Sequence, residues 1–122
     1  MHKSGNFSLK WSEYTATISD SFKSFHSNQT FADVTIACED EIHTRAHKVI
    51  LAACSPFFQH ILEKNVHPHP LLYLKGIKSQ HLLSIIDFVY TGEVTVLHGQ
   101  LDEFLETARE LKLKGLYEKQ TD

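Results

Sequence analysis

The chain has 122 residues, of which 42% are hydrophobic and 11% aromatic, and this length and composition support one compact domain. Charged residues make up 22% and the formal net charge is −3, so the basic surface of a domain that neutralises many phosphates is missing. Direct nucleic-acid binding is therefore not expected. The longest apolar run, Val49 to Cys54, is too short to span a bilayer.

The first residues of the chain carry no continuous apolar stretch of the kind that a secretory signal has. We therefore expect a reducing compartment, in which Cys38 and Cys54 are free thiols. Residues 1–6 are predicted to be flexible. From Phe7 to Trp11, apolar and polar residues alternate, which predicts a half-buried strand, yet no hairpin partner follows it.

A helix is predicted next, with Ser12 as its N-cap and an end near Asn28. Its apolar residues fall at spacings of three and four and form one stripe, made of Tyr14, Ile18, Phe22 and Phe25. Unpaired strands and large apolar stripes are usually buried against another chain. The first part of the sequence therefore indicates self-association.

The segments Val34 to Cys38 and Ile42 to Ala46 flank a polar turn and predict a β-hairpin. His47 to Lys64 is apolar on every side, but Ser55-Pro56 in its middle is typical of an N-cap followed by the first helical residue. We predict two short buried helices here, and we expect this helical hairpin to form the core.

Leu71 to Leu74 follows a proline-containing stretch and predicts a short buried strand. Ser79 is the predicted N-cap of the next helix, and Gly92 is placed to end it. Val94-Thr95-Val96 then returns to an extended pattern.

An amphipathic helix is predicted from Leu101 to Leu111, closed by Lys114-Gly115. The polar residues 118–122 are predicted to fray, so the folded domain is expected to span residues 7–117. Together the elements predict an α+β domain in which a small, mostly buried sheet is covered by helical hairpins.

Nine histidines invite a search for a metal site, with His67 close to His69 and His43 close to His47. A structural zinc site needs four ligands at short paired spacings, and neither cysteine has a cysteine neighbour. We expect no metal and no cofactor. His47 is instead predicted to be buried and satisfied by backbone groups.

The sequence predicts no enzyme. Ser55 lies in Cys-Ser-Pro rather than in a nucleophile elbow, so a helix cap is its simpler role. Cys54 is either a small core residue or a thiol activated by a helix end, and the first reading is favoured.

Five motifs, taken in order, resemble a BTB/POZ domain between about Phe7 and Leu116. They are Phe31-Ala32-Asp33-Val34-Thr35-Ile36-Ala37-Cys38, Ala46-His47-Lys48-Val49-Ile50-Leu51, Ala53-Cys54-Ser55-Pro56-Phe57-Phe58, Phe88-Val89-Tyr90-Thr91-Gly92-Glu93-Val94 and Leu113-Lys114-Gly115-Leu116. Ser8-Leu9-Lys10-Trp11 and His69-Pro70 further resemble the tramtrack group of insect transcription and chromatin factors. Ser12 departs from that group, which usually has asparagine after the tryptophan.

The resemblance implies a BTB/POZ fold and a homodimer in which the N-terminal strand is exchanged and pairs with the partner subunit. It also implies that the dimers associate further, as a closed oligomer such as a hexamer, through Phe7, Leu9 and Trp11. Asp33 and Lys48 are implied to form a charged pocket beside the dimer interface, with an ordinary half-buried salt bridge as an equally open reading. The implied dimer interface is formed by Phe7, Leu9, Trp11, Tyr14, Ile18, Phe22, Val94 and Val96.

In this group the domain normally precedes a separate DNA-binding region, often zinc fingers, which implies a nuclear role in transcription or chromatin. Its expected partners are a second copy of itself, related BTB domains and co-regulator proteins. The alternative is a substrate adaptor for a cullin ubiquitin ligase. Cullin-binding relatives carry a hydrophobic-x-Glu motif after the second core helix, and the matching residues here are Val66-His67-Pro68, with proline in place of the acid.

Overall fold

The computed structural model describes residues 5–116, which form five α-helices, one short 3-10 helix and a three-stranded sheet. The predicted frayed tail and residues 1–4 of the predicted flexible start lie outside the described residues. In chain order the elements are α1 (Tyr14–Asn28), β1 (Val34–Cys38), β2 (His43–Ala46), α2 (Lys48–Cys54), α3 (Pro56–Lys64), β3 (Leu71–Leu74), α4 (Ser79–Thr91), the 3-10 helix (His98–Gln100) and α5 (Leu101–Glu110).

Strand β1 lies in the middle of the sheet. It pairs antiparallel with β2, with Val34 opposite Ala46, and parallel with β3, with Ile36 opposite Leu72. The hairpin between β1 and β2 was predicted, and its turn places Glu41 at a φ of 68°. The helical hairpin of α2 and α3 connects β1 and β2 to the parallel strand β3.

Strand β3 is buried on one face only. Leu72 and Leu74 point into the core, whereas Leu71 and Tyr73 are more than half exposed. The prediction of a buried strand was therefore wrong for one face. A short apolar run does not show which of its residues face solvent, because periodicity is hidden when every position is apolar.

The break between α2 and α3 was predicted correctly. The Ser55 hydroxyl accepts a hydrogen bond from the backbone N–H of Phe58 at 3.1 Å and donates one to the carbonyl of Leu111 at 2.5 Å. Pro56 occupies the first turn of α3, where its missing N–H costs nothing. Ser55 is therefore both a helix cap and a link to the end of α5.

Helix α4 supplies more of the core than the α2–α3 hairpin, which contributes Ile50, Leu51 and Phe58 as its buried residues. Gly92 ends α4 at a φ of 86°, as its position in the sequence predicted. The buried residues of α4 are His81, Leu82, Ile85, Ile86, Val89 and Tyr90.

Two predicted helix caps were wrong, each by one residue. Glu13 rather than Ser12 is the N-cap of α1, and no side chain caps that helix. Lys78 is the N-cap of α4, while Ser79 is its first residue and donates its hydroxyl proton to Asp40 at 2.6 Å. That hydrogen bond lowers the pKa of Asp40. Helix α5 ends at Glu110 and has Leu111 as its C-cap, within one residue of the predicted span from Leu101 to Leu111.

Candidate interaction surface

The N-terminal segment, residues 5–11, runs over the surface without forming a strand in the single chain. Phe7 and Leu9 are each 94% exposed and Trp11 is 55% exposed. The Trp11 carbonyl accepts a hydrogen bond from the N–H of Tyr14 at 3.1 Å, and the two rings meet edge to face with centroids 5.2 Å apart. The alternation that predicted a half-buried strand thus has no covering surface within residues 5–116.

Helix α1 has no fully buried residue, although it carries the predicted apolar stripe. Tyr14 is 54% exposed, Ile18 is half-buried, and Phe22 and Phe25 pack against the core from its edge. A groove of about 320 Å³ lies between α1 and the end of α4, and it is mainly apolar. Its lining includes Tyr14, Ile18, Phe22, Val89, Tyr90 and Gly92.

The segment 93–96 has no regular secondary structure and no neighbouring strand among the described residues. Val94 and Val96 are half-buried and pack against the core. No hydrogen bond to the backbone groups of Val94, Thr95 or Val96 is present within residues 5–116. Two segments outside the sheet, 5–11 and 93–96, therefore keep most of their backbone hydrogen-bonding groups unused within residues 5–116.

The side chain of Asp33 contacts the backbone of Lys48 rather than its side chain. The Asp33 carboxylate accepts a hydrogen bond from the backbone N–H of Lys48 at 2.8 Å, at the start of α2. The Lys48 ammonium group points elsewhere and donates to the carbonyl of His67 at 2.8 Å. The reading of this pair as an ordinary salt bridge is therefore wrong, because no side-chain ion pair joins the two residues within the described part of the chain.

A buried hydrogen-bond network fixes the base of α1 to α2 and α4. The Tyr90 hydroxyl accepts from the backbone N–H of His47 at 2.9 Å, so its own proton is directed at Nδ1 of the same histidine. The Nε2 atom of His47 then donates to the carbonyl of Thr30 at 2.6 Å. Burial raises the pKa of Tyr90 to about 12, which keeps the hydroxyl protonated. His47 is buried as predicted, but it is satisfied by Tyr90 as well as by the backbone.

A second contact holds the end of α1 against α4. His26 Nε2 lies 2.7 Å from Asp87 Oδ1, and the imidazole ring stacks on the ring of Tyr90 with centroids 4.9 Å apart. Neither His26 nor Tyr90 was singled out from the sequence as a positioning residue. The signal was too weak, because a histidine near the end of a helix and a tyrosine 43 residues after His47 show no local pattern.

The sequence raised a metal site and an activated thiol as alternatives. No group of three or more His, Cys, Asp or Glu side chains within residues 5–116 could hold a metal ion. His67 accepts at Nδ1 from the N–H of His69, whose Nε2 meets the Thr35 hydroxyl at 2.8 Å. Cys54 is a free thiol whose pKa is raised by burial. A raised pKa disfavours the reactive thiolate, so it argues against a thiol activated by a helix end. Among the helices described, none is long and apolar enough to cross a membrane.

Comparison with known proteins identifies the fold. The BTB/POZ domain family model matches residues 22–122. The solved BTB domain of zebrafish PATZ1 superposes with a TM-score of 0.77 at 24% identity, covering 93% of this chain and 92% of that one. The BTB domain of human Gigaxonin gives the same TM-score and coverage at 22% identity.

Among curated Drosophila melanogaster proteins, the Longitudinals lacking protein-like protein is 43% identical over 97% of this chain and 92% of its own length. Protein abrupt is 40% identical and the sex determination protein fruitless is 41% identical, over 91% and 90% of this chain. The chain spans only 12% and 11% of those two proteins. With the family model, these similarities show that the chain belongs to the BTB/POZ family of protein-interaction domains.

Proposed function

We propose that this domain mediates homodimerisation and further oligomerisation of a nuclear transcription or chromatin factor. One observation carries the proposal: the apolar residues of the N-terminal segment and of α1 remain exposed in the single chain, beside an apolar groove. Large contiguous apolar surfaces of this kind are typical of interaction sites. The proposed dimer interface comprises Phe7, Leu9, Trp11, Tyr14, Ile18, Phe22, Val94 and Val96.

The physical reason for the dimer is the removal of this apolar surface from water, at roughly 25 cal/mol per Å². Two copies related by a twofold axis would place their α1 helices and the adjoining grooves against each other, since a twofold interface uses the same patch on both chains. The exchange of the segment 5–11 would then satisfy backbone groups that one chain leaves unpaired.

Higher-order association follows from the same segment. Once it is paired with the partner, its other edge is a docking surface for a neighbouring dimer, and Phe7, Leu9 and Trp11 supply the apolar contacts. The formal net charge of −3 offers little repulsion. Closed symmetry limits the growth, so we propose an oligomer of dimers such as a hexamer.

The role in the cell is proposed from the tramtrack-group resemblance. A non-enzymatic assembly domain joins several DNA-binding regions of the parent protein and raises their combined avidity. Its partners are a second copy, related BTB domains and co-regulator proteins, and its location is the nucleus. Asp33 and Lys48 are proposed to border the dimer interface as a charged pocket, with Asp33 fixed by its hydrogen bond to α2.

Light scattering coupled to size exclusion tests the proposal on the intact chain over a wide concentration range. We expect a mass at or above that of a dimer at every concentration, rising to a limiting oligomer. A monomer mass at micromolar concentration would overturn the proposal, and a dimer mass throughout would remove the higher-order part. Binding to a cullin N-terminal domain in a pull-down would instead favour the adaptor role. This chain has Pro68 where the cullin-binding motif has its glutamate.

A further inference from the structure

The two segments outside the sheet, 5–11 and 93–96, carry single charges of opposite sign. Residues 5–11 contain one ionisable side chain, Lys10, and residues 93–96 contain one, Glu93. Both side chains are exposed, and neither has an ion-pair or hydrogen-bond partner within residues 5–116. Each segment therefore lacks a strand partner and a counter-charge within the described residues. The other segment, in a second copy, could supply both.

The faces of the two segments are set by what the structure buries. Val94 and Val96 pack against the core, so Glu93 and Thr95 point outward. In the N-terminal segment, Phe7, Leu9 and Trp11 alternate with Ser8 and Lys10. Side chains of residues directly opposite each other in a sheet lie on the same face. In a pairing of the two segments, the apolar side chains of 5–11 must therefore lie on the same face as Val94 and Val96.

On the basis of the strand exchange proposed above, we propose that segment 5–11 of one copy pairs antiparallel with segment 93–96 of the second copy, in a register set by Lys10 opposite Glu93. This register also places Leu9 opposite Val94 and Phe7 opposite Val96. Ser8 then faces Thr95, so that every opposed pair matches in polarity.

The backbone of segment 93–96 is compatible with this register. The Glu93 carbonyl already accepts from the Thr91 hydroxyl at 2.9 Å, whereas the backbone groups of Val94 and Val96 are unused within the described residues. In an antiparallel pair, hydrogen-bonded and non-hydrogen-bonded positions alternate. In the proposed register, Val94 and Val96 take the hydrogen-bonded positions. Lys10 and Glu93 then form a non-hydrogen-bonded pair, in which the side chains are closer.

Other registers lose these matches. A parallel pairing that keeps Ser8 opposite Thr95 places Lys10 opposite Leu97. An antiparallel shift of two residues places Lys10 opposite Thr95 and leaves Glu93 opposite Ser12. A shift of one residue turns the apolar side chains to the solvent face. The charge pair therefore selects one register from those that the apolar pattern allows.

The Glu93 carboxylate itself is the group that a basic side chain of the partner would contact. Glu93 borders a wide groove of about 710 Å³ whose other charged residues are Asp87 and Lys23. Asp87 is engaged by His26. An incoming Lys10 places a cation beside Glu93, whereas an acidic residue at that position would place a second carboxylate beside it. The pair thus determines partner choice, because a copy is accepted according to the charge at residue 10.

A charge exchange between two differently tagged copies tests the register. Lys10→Glu and Glu93→Lys each place like charges opposite each other in their own homodimers, whereas a mixed dimer has opposite charges at both exchanged strands. After co-expression, we expect the mixed dimer to exceed the statistical mixture by about tenfold, since like-charged cross-strand pairs are destabilising and opposite pairs stabilising. The wild type and the double variant Lys10→Glu/Glu93→Lys should each prefer their own kind.

Cross-linking gives an independent readout. A copy with Lys10→Cys mixed with a copy carrying Glu93→Cys should form an intermolecular disulfide under mild oxidation, and a mixture of Lys10→Cys with Leu97→Cys should not. The wild type controls for Cys38 and Cys54. A dimer mass with statistical mixing, or cross-linking at Leu97, would overturn the register while leaving the proposed dimer intact. A monomer mass for the wild type would instead overturn the proposed function itself.

Discussion

Tyr90 is bound to His47 through both the backbone and the imidazole ring of the histidine, at 2.9 Å and 2.5 Å. The hydroxyl thereby joins the C-terminal half of α4 to the start of α2. Because His47 also donates to the carbonyl of Thr30, the Tyr90 hydroxyl helps to fix the loop that follows α1. The surface proposed for dimerisation rests on this buried network.

Tyr90→Phe should destabilise the domain by about 1–3 kcal/mol, because it leaves buried polar groups of His47 without their partner. Denaturant unfolding at neutral pH measures the loss. Tyr73→Phe is the matched control, since Tyr73 is more than half exposed and has no hydrogen-bond partner within the described residues. Equal unfolding midpoints for the two variants would show that the network contributes nothing.

The same tyrosine predicts an alkaline dependence. Burial raises its pKa to about 12 in the folded chain, above the ordinary tyrosine value of 10.0, so its contribution to stability is fully present below the unfolded pKa. Between these two values the wild type should lose stability as pH rises. Tyr90→Phe lacks this titration, and its unfolding curves should change less over that interval. Parallel pH profiles for the two chains would contradict the prediction.

Glu103 should link stability to acid pH. Its carboxylate accepts from His81 Nε2 at 3.0 Å and from the Lys78 ammonium, and these hydrogen bonds lower its pKa. A carboxylate with a lowered pKa stabilises the fold above its unfolded pKa, and this contribution is lost as pH falls through the folded value. Glu103→Gln should therefore be less stable than the wild type at neutral pH and converge with it in acid. Glu106→Gln, at an exposed carboxylate of the same helix, should follow the wild type throughout.

Asp33 separates a capping role from a charge role. Asp33→Ala removes the acceptor for the backbone N–H of Lys48 and should cost about 1 kcal/mol in thermal unfolding, whereas Asp33→Asn keeps an acceptor and should cost less. If the proposed pocket depends on the charge, Asp33→Asn should still weaken the dimer by light scattering. If both variants associate like the wild type, the charged pocket is contradicted.

Ile18→Asp should prevent dimerisation and cause unfolding or aggregation, because a carboxylate placed in an apolar interface without a partner costs several kcal/mol. Ser27→Asp adds the same charge to an exposed position of α1 and should leave the mass unchanged. A soluble, folded monomer of Ile18→Asp, seen by circular dichroism and light scattering, would mean that the dimer is not required for folding.

Deletion of residues 1–11 should reduce any larger oligomer to a dimer or less.

The sequence predicted those features whose causes lie within a few residues. Ser55-Pro56 marked the break between α2 and α3 because a capping hydroxyl and a first-turn proline act locally, and Gly92 marked the end of α4 for the same reason. Ser79 was mistaken for a cap, since its hydroxyl instead binds Asp40, 39 residues away. No local pattern reports such a partner.

The sequence predicted which residues belong to the candidate surface, but it did not predict how they are arranged. Alternation indicated a strand at Phe7 to Trp11, yet one chain provides no edge to pair with it among the described residues. The direction of Lys48, towards His67 rather than Asp33, also depends on the loop after α3 and could not be read from spacing. Side-chain direction is a tertiary property, so residue type alone does not determine it.

The parallel pairing of β1 with β3 has a consequence for the order of folding. Its partners, such as Thr35 and Leu71, are far apart in the chain, and the β1–β2 hairpin and helices α2 and α3 lie between them. Closing so long a loop costs entropy that the local β1–β2 turn does not incur. The hairpin and the two helices are therefore expected to form early, and the parallel ladder is expected to complete late and to limit the folding rate.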